Sequence, residues 1–328
     1  MEANKKQFKT LLESIGNTPI VRLDLPVKPT VLAKLEFMNP SGSLKDRAAL
    51  YMVEEAERLG KLKPGGTIVE ATSGNQGIAL AMIGAIKGYR VIITVPDRTA
   101  VEKIAILRAY GAEVHVCPNA ANHDDPQGYH ARAEQLLHEI PGAFMPNQYY
   151  SKSNAMGHYY STGPEIWQQT EGKVTHFIAG AGTCGTISGV GQYLKEQNPA
   201  VKIIGVDAAN SFYSSKEPKT YTVEGLGIDV ISETFNQAVV DHVIPITDED
   251  AFNTTRRVAK ENGLLVGISS GAVLHVALKY AQQLTENDLV VVILADSGRS
   301  YLNKVFIAQQ PEPRQAVKST PHSQERIV

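Results

Sequence analysis

The chain has 328 residues, of which 43% are hydrophobic and 20% are charged, and its formal net charge at pH 7 is -2. Such a chain can bury a large core and is long enough for two domains. The small net charge gives no electrostatic reason to expect nucleic acid or an anionic membrane surface as a partner. The polar amino terminus, and the lack of any apolar run of about 18 residues, lead us to expect a cytoplasmic protein.

The two cysteines, Cys117 and Cys184, lie far apart and have no C-x-x-C partner. The histidines show no H-E-x-x-H or similar cluster. We therefore expect neither a disulfide framework nor a metal site.

Strand-like and helix-like apolar patterns alternate along the first half of the chain. The predicted strands are at 20–23, 31–36, 67–71, 90–95 and 113–116. The predicted helices are at 46–59, 78–86, 100–110 and 128–139, with a surface loop at 118–128. Apolar strands that alternate with helices predict a parallel sheet covered on both faces.

The second half repeats this pattern after a polar, aromatic segment at 146–163, which we interpret as a turn-rich crossing between two lobes. The predicted strands are at 174–179, 202–207 and 289–294, and the predicted helices end near 195, span 248–262 and begin after 267–271. The long irregular segment at 208–236 is predicted to carry function. From 309 to 328 the chain is polar and predicts a mobile tail.

Three small-residue loops, at 72–77, 180–186 and 267–271, are each predicted to lead into a helix. A strand is predicted before each of them, although the third strand is only weakly indicated. In an open parallel sheet such loops lie at the carboxyl ends of the strands, where ligands bind. Each loop offers backbone N–H groups at a helix N-terminus to an anion. Together the loops predict a ligand with two separate anionic groups.

Lys45 occupies an unusual position, directly after a turn and in the first turn of a predicted helix. Ser43 can cap this helix, and Asp46 suits the positive end of the helix dipole. The same dipole disfavours the charged form of Lys45 and leaves its amine more ready to act as a nucleophile. A single lysine of this kind is more often a solvated surface residue, so the other motifs must decide.

The loop Gly180-x-Gly182-x-x-Gly185 also matches the dinucleotide fingerprint, with Asp207 at a later strand end. This match allows an NAD-dependent dehydrogenase as an alternative. However, the fingerprint lies mid-chain after several βα units, and it leaves Lys45 unexplained. The hydroxyls of the intervening and following threonines suit one phosphate better than a pyrophosphate. A P-loop is excluded because no lysine follows the glycines.

Four ordered motifs span most of the chain: Asn39-Pro40-Ser41-Gly42-Ser43-Leu44-Lys45-Asp46-Arg47, Thr72-Ser73-Gly74-Asn75, Gly182-Thr183-Cys184-Gly185-Thr186 and Gly267-Ile268-Ser269-Ser270-Gly271. Together they resemble the cysteine synthase and cystathionine β-synthase family of pyridoxal-phosphate enzymes, which has the tryptophan synthase β fold. The resemblance covers about residues 12–308. It implies an α/β protein of fold type II, with two three-layer α/β/α domains and mostly parallel sheets.

The resemblance also implies a division of the chain and a role for each motif. A smaller domain at 46–147 carries the substrate-carboxylate loop, and a larger domain at 10–45 and 148–308 binds pyridoxal 5'-phosphate. Lys45 would hold the cofactor as a Schiff base and later move the α-proton, and Asn75 would bind its phenolic oxygen. The remaining cofactor-binding residues would be Gly182, Thr183, Cys184, Gly185 and Thr186 at the phosphate, Ser269 at the pyridine nitrogen, and Asp296.

The substrate side of the site follows from the same resemblance. The residues implied for substrate binding are Thr72, Ser73, Asn75, Gln76, Gln148, Glu224 and Gly225. Two positions depart from the family pattern. Gln76 replaces a common threonine and is expected to alter entry of the incoming thiol. Cys184 replaces a common glycine and is expected to change packing, with a thiol that could be oxidised.

Members of this family convert an amino acid with a β-leaving group into an aminoacrylate, which a nucleophile then attacks. Residues 71–89 and 161–167 resemble bacterial cysteine synthase of the B type. Residues 221–229 and 296–299 are similar to cystathionine β-synthase, in which the acidic residue at the position of Glu224 helps to bind homocysteine. Glu224 could instead only cap a loop turn.

The sequence therefore favours cystathionine synthesis from serine, or an activated serine, and homocysteine. Cysteine synthesis from O-acetylserine and sulfide is the alternative. We expect a homodimeric, stand-alone catalytic core that takes small amino-acid and thiol substrates. Neither the haem-binding extension nor the regulatory module of animal cystathionine β-synthases is expected in it.

Overall fold

The computed structural model describes residues 7–72, 74–118, 125–227 and 232–307. Within these ranges the strands are β1 (Ile20–Arg22), β2 (Thr30–Leu35), β3 (Thr67–Ala71), β4 (Arg90–Pro96), β5 (Glu113–Cys117), β6 (His176–Gly180), β7 (Lys202–Ala208), β8 (His242–Ile246) and β9 (Leu289–Leu294). The α-helices are α1 (Lys45–Arg58), α2 (Asn75–Lys87), α3 (Val101–Ala109), α4 (Tyr129–Glu139), α5 (Lys152–Tyr160), α6 (Thr162–Gln169), α7 (Gly185–Gln197), α8 (Asp248–Glu261) and α9 (Ile268–Ala281).

The strands form two separate sheets. The larger sheet has the order β1-β2-β9-β6-β7-β8, and the smaller sheet has the order β3-β4-β5. Only β1 runs antiparallel to its neighbour; every other described pairing is parallel. The predicted α/β fold with mostly parallel sheets is therefore confirmed.

Both faces of each sheet are covered by helices. In β6 the consecutive residues Phe177 and Ile178 belong to different core clusters, one on the side of α7 and one on the side of α9. In β4, Ile92 and Ile93 likewise face opposite clusters. Since neighbouring side chains of a strand point to opposite faces, strands buried on both sides read as continuous apolar runs. Each such side chain contributes about 1.5–3 kcal/mol when it is fully buried.

The segment at 146–163 was predicted as turns, and this prediction is wrong for most of it. The segment contains α5 and the start of α6, and α5 packs against both α1 and α7. Small residues allow this close approach: a Cβ added to Gly189 on α7 would lie 2.1 Å from the carbonyl oxygen of Ala155. In the sequence, the tyrosines and the histidine of α5 obscure the helical periodicity of polar and apolar residues.

Two further predictions need correction. The edge strand β8 was missed, because its sequence is short, contains Pro245 and carries no long apolar run. The strand expected before 267–271 is absent, since α8 precedes this loop and only an isolated bridge joins Val266 to Ser297. The tail predicted at 309–328 lies outside the described residues.

The three strands of the smaller sheet lie within 46–147, and all strands of the larger sheet lie outside that range. The domain boundaries at 46–147, and at 10–45 with 148–308, stay a prediction. None of the helices in the described ranges has both the length and the apolar character that crossing a bilayer requires.

Candidate active site

A cavity lies at the carboxyl ends of β6 and β9 and brings together the motifs that the sequence analysis selected. Its described lining consists of Leu44, Lys45, Asn75, Ala179, Gly180, Gly182, Thr183, Thr186, Gly225, Ser269, Val273, Ile293, Ala295 and Asp296. Residues from the start of α1, α2, α7 and α9 therefore meet at one point. Such convergence at strand ends is where ligands bind in open α/β sheets.

Lys45 is the first residue of α1, and its side chain is partly exposed to this cavity. Burial lowers the pKa of the Lys45 amine, and the negative charge of Asp296 opposes this effect. The helix N-terminus acts in the same direction as burial. A lysine in this setting has more of its amine in the neutral, nucleophilic form than a solvated lysine has.

The turn before Lys45 is fixed by several hydrogen bonds. Ser41 donates its backbone N–H to Asp46 at 2.8 Å and its hydroxyl to the same carboxylate. Burial raises the pKa of Asp46 to about 6, against the opposing effect of these two hydrogen bonds. Leu44 donates its N–H to the carbonyl of Ala295 at 2.8 Å. The turn that carries Lys45 is thereby tied to the end of β9.

Four charged residues form a buried network that supports α1. The sequence analysis did not identify this network. Arg47 donates to Glu36 and to Glu165, each at 2.7 Å, and Lys34 donates to Glu165 at 2.7 Å. The network is neutral overall. Burial opposes the ionisation of Glu165, but Arg47 and then Lys34 hold the pKa of this carboxyl at about 2. The network joins β2 and α6 to Arg47 of α1, which lies two residues after Lys45.

Asn75 and Asp296 both line the cavity and are in direct contact. Asn75 donates through Nδ2 to Asp296 Oδ2 at 2.6 Å, and the Tyr301 hydroxyl donates to the same oxygen at 2.6 Å. The other oxygen, Oδ1, is buried and has no hydrogen-bond partner among the described residues. Burial raises the pKa of Asp296, and the charge of Lys103 opposes the shift.

The loop before α7 presents two threonine hydroxyls to the cavity. Thr183 Oγ1 accepts a hydrogen bond from Asn154 Nδ2 at 3.0 Å, and Thr186 Oγ1 lies 3.1 Å from His158 Nε2. Burial lowers the pKa of His158 to about 3, so its ring is neutral near pH 7. With α7 beginning at Gly185, backbone N–H groups of its first turn are available to an anion beside these hydroxyls.

The residues present fit pyridoxal phosphate. The Lys45 amine suits an aldehyde, the α7 N-terminus with its two threonines suits a phosphate monoester, and the Ser269 hydroxyl at the start of α9 suits a ring nitrogen. Gly225 lies close to Ser269, because a Cβ added to Gly225 would be 3.4 Å from the Cβ of Ser269. The fold and this set of donors define a pyridoxal-phosphate enzyme of fold type II.

Asp207, the acidic residue on which the NAD-dependent dehydrogenase alternative depends, is engaged in other contacts. The carboxylate of Asp207 is fully buried and accepts the hydroxyls of Ser211 and Ser214, each at 2.6 Å. Its Oδ2 is therefore engaged by two serines of the 208–227 segment, and the fully buried carboxylate is not open to a ribose.

Cys184 is buried in a setting that disfavours its thiolate. Its backbone has a left-handed φ of 63°, its side chain is buried, and its Sγ lies 3.5 Å from the Tyr213 hydroxyl. Burial raises the pKa of the thiol to about 12. Since the thiolate is the reactive form, this setting disfavours oxidation of the thiol and agrees with the packing role expected for the side chain.

Several residues predicted to bind substrate lie outside the cavity lining. Thr72 Oγ1 accepts the N–H of Gly74 at 3.2 Å, and the Gln76 amide is buried against Met52 Sδ at 3.9 Å. Gln148 is buried beside β3 and Glu70. Ser73 lies outside the described residues. The substrate-binding roles of these side chains stay predictions.

Glu224 lies next to the cavity residue Gly225 and is held between two lysines. Lys103 donates to one carboxylate oxygen at 2.7 Å, and Lys304 donates to the other at 2.8 Å. Burial would raise the pKa of Glu224, but these two cations hold it below its usual value. Lys103 also donates to the Tyr301 hydroxyl at 3.1 Å. Lys103 was not predicted from the sequence, because it lies on α3, a helix with an ordinary mixture of charged and apolar residues.

Comparisons with known proteins agree with this site. The model of the family described as pyridoxal-phosphate dependent enzyme matches residues 11–296. The chain is 46% identical over 310 residues to cystathionine beta-synthase of Rattus norvegicus, which covers 91% of this chain and 55% of that protein. It is 42% identical over 304 residues to cysteine synthase of Staphylococcus aureus, with 91% of this chain and 97% of the relative covered.

A solved structure, the O-acetylserine dependent cystathionine beta-synthase from Helicobacter pylori, matches with a TM-score of 0.86 at 37% identity, over 92% of this chain and 100% of that chain. The chain belongs to the family of pyridoxal-phosphate-dependent enzymes that contains cystathionine β-synthases and cysteine synthases. The predicted family, cofactor and fold type II are therefore confirmed. The chain spans about half the length of the first cystathionine β-synthase relatives it matches.

Proposed function

We propose that this chain catalyses β-replacement on serine or an activated serine, with the amino-acid thiol homocysteine as the nucleophile. The product would be cystathionine. The observation that carries this choice is the carboxylate of Glu224, which lies beside the cavity residue Gly225 and between the ammonium groups of Lys103 and Lys304.

This arrangement of charges suits a zwitterion. Lys103, Glu224 and Lys304 together carry a net positive charge, so they can accept a substrate carboxylate. Glu224 can accept the ammonium group of the same substrate once a lysine turns to that carboxylate. Sulfide has neither group, so it offers these three charged side chains nothing to bind.

The other residues around the cavity have separate roles in the proposed reaction. When bound, pyridoxal phosphate supplies the electron-withdrawing ring that acidifies the α-proton of the amino acid. The Lys45 amine takes that proton, and the lowered pKa of Lys45 favours the neutral amine that can act as a base. Asp296 orients the Asn75 amide, and Asn154 and His158 orient the threonine hydroxyls of the phosphate loop.

Cysteine synthesis from O-acetylserine and sulfide is the second candidate. The relative from Staphylococcus aureus, named a cysteine synthase, supports it because 97% of that protein is covered by the alignment. The match to a cystathionine synthase named as O-acetylserine dependent also allows O-acetylserine as the donor in the first candidate.

The test is a product assay with purified holoenzyme. Serine and O-acetylserine are each offered with homocysteine, with sulfide, and with both in competition, and cystathionine and cysteine are quantified. We expect cystathionine to dominate in the competition. A preference for cysteine would instead support the second candidate, and no product from any pair would overturn β-replacement itself.

The variant E224Q tests the observation behind the proposal. We expect KM for homocysteine to rise by about tenfold to a hundredfold, because a charge-assisted contact contributes about 1.5–3 kcal/mol, while the rate with sulfide stays unchanged. The matched control is E217Q, which alters an exposed carboxylate in the same segment. If E224Q changed both nucleophiles equally, Glu224 would not select the thiol.

A further inference from the structure

Glu70 is a buried carboxylate that the proposed chemistry does not use. It is the next-to-last residue of β3 and is 1% exposed. Its oxygens accept the backbone N–H groups of Asn147 at 2.8 Å and of Gln148 at 3.1 Å. Among the described residues, no charged side chain acts on this carboxyl.

A carboxylate in this position is costly. The other buried residues of β3 are apolar, and a buried charge without a cation is disfavoured. Burial accordingly raises the pKa of Glu70 to about 7, although the two peptide N–H groups oppose the shift. A valine or an isoleucine at this point of the strand could not accept these two hydrogen bonds.

The two N–H groups belong to a tight turn that leads into α5. Asn147 has a left-handed φ of 53°, and its carbonyl accepts the N–H groups of Tyr150 at 3.1 Å and Ser151 at 2.9 Å. A left-handed non-glycine residue is strained and persists only where its surroundings fix it. Glu70 supplies part of that restraint.

The peptide of Gln148 is fixed from its other side as well. Asn154 on α5 donates through Nδ2 to the Gln148 carbonyl at 2.7 Å and to Thr183 Oγ1 at 3.0 Å. The backbone of Gln148 is therefore held between the end of β3 and the phosphate loop. The residue is only 5% exposed, Oε1 has no partner in the described part of the chain, and none of the side-chain hydrogen bonds found there uses Nε2, the donor that a carboxylate needs. The amide is thus both placed and uncommitted.

We propose that Glu70 is a positioning residue, which fixes the backbone of Gln148 so that Nε2 of Gln148 can donate to the α-carboxylate of the amino-acid donor, the contact that the family resemblance implies for Gln148. This inference rests on the proposed function, because it requires that the enzyme binds an amino-acid substrate at Gln148. Glu70 acts through the peptide of Gln148 and touches neither substrate nor cofactor.

The variant E70Q removes one of the two acceptors and keeps the size of the side chain. One peptide N–H then loses its partner, and the turn at Asn147 loosens. We expect the donor to bind about tenfold more weakly, the loss that one hydrogen bond to a charged group predicts, while kcat changes by less than about threefold. A purely structural role would lower the yield of folded protein and leave the affinity of the folded fraction unchanged.

The experiment titrates holoenzyme with L-serine and with O-acetylserine and follows the cofactor absorbance. The variants are E70Q, Q148A and the double variant, with E134Q on the surface of α4 as the matched control. We expect both single variants to weaken binding and the double variant to bind no more weakly than Q148A. Should E70Q fail to fold, E70D takes its place, because its shorter side chain keeps the charge but not the reach.

Two results would overturn the inference. One is additive losses in the double variant, which would mean that Glu70 does not act through Gln148. The other is wild-type affinity in E70Q or in Q148A. Failure of the proposed function would be seen separately, as wild-type enzyme that forms no product with any donor and nucleophile.

Discussion

Lys103 Nζ lies 2.7 Å from the Glu224 carboxylate, although Lys103 follows the smaller sheet's β4 and Glu224 follows the larger sheet's β7. The lysine side chain is 3% exposed and the glutamate side chain 20%. This ion pair therefore connects the two halves of the chain directly beside the cavity. A Cβ on Gly74 would lie 2.5 Å from Lys103 Cδ, so the lysine also covers the loop that leads to Asn75.

The Lys103–Glu224 pair predicts a measurable coupling. In a double-mutant cycle with K103M and E224Q, we expect a coupling free energy of about 1–2 kcal/mol in chemical unfolding, since the pair is largely shielded from water. The parallel cycle with K304M should give less, because the Lys304 side chain is 37% exposed. Equal coupling in the two cycles would contradict this order.

Replacing Lys45 with alanine should abolish turnover and leave the fold intact. Lys45 makes no hydrogen bond through its amine in the described structure, so its loss removes chemistry rather than support. Turnover of each substrate pair and the circular dichroism spectrum would be measured together. Retained turnover would contradict the assignment of Lys45 as the base.

The variant R47M should be strongly destabilised. It leaves Glu36, which is fully buried, without the cation that pairs with it. Removing one member of a buried ion pair costs about 3–5 kcal/mol. Urea unfolding would measure the loss, with R58M as a control because Arg58 makes only a surface pair. A loss equal to that of R58M would contradict a supporting role for the network.

Glu165 should make the stability of the chain sensitive to acid. Its pKa in the folded chain is about 2, below the usual 4.5. A lowered carboxyl pKa stabilises the fold above the unfolded pKa, and this contribution is lost as the pH falls from about 4.5 towards 2. The shift corresponds to about 3 kcal/mol. The difference in unfolding free energy between wild type and E165Q should therefore shrink between pH 6 and pH 3, and a constant difference would be evidence against it.

Cys184 should resist alkylation in the native protein. Its thiol is 2% exposed and its pKa is raised to about 12, so almost no thiolate is present near pH 8. Mass spectrometry after iodoacetamide treatment should find Cys184 modified only in denaturant. The variant C117A removes the other cysteine from the measurement. Rapid native modification would contradict the buried thiol.

The parts of this site that the sequence predicted are those with a local signature. A small-residue loop before an apolar helix is visible in the sequence, and Asn75, Thr183, Thr186 and Ser269 all come from such loops. Lys45 directly follows a turn that is equally visible. The alternation of apolar strands and helices likewise predicted most of both sheets. Where the pattern was short or aromatic, as in β8 and α5, the element was missed.

The residues that sequence reasoning missed act across long separations. Lys103 gains its importance only from Glu224, and Glu70 only from the turn at Asn147. The residues around Lys103 do not distinguish it from an ordinary charged residue. Glu70 stands out as a carboxylate in an apolar strand, but its partners lie 77 and 78 positions further along the chain. The four-charge network around Arg47 was missed for the same reason, because its members come from β2, α1 and α6.

The position of β9 sets the order in which the chain can assemble. The strands of the smaller sheet follow one another directly, so this sheet can form from local contacts while synthesis continues. The larger sheet has its last strand at its centre, between β2 and β6, and Ala295 just after that strand anchors the turn of Lys45. A nascent chain that stops before 289 thus holds every cavity residue except Ile293, Ala295 and Asp296, yet it cannot close the larger sheet or seat the reactive lysine.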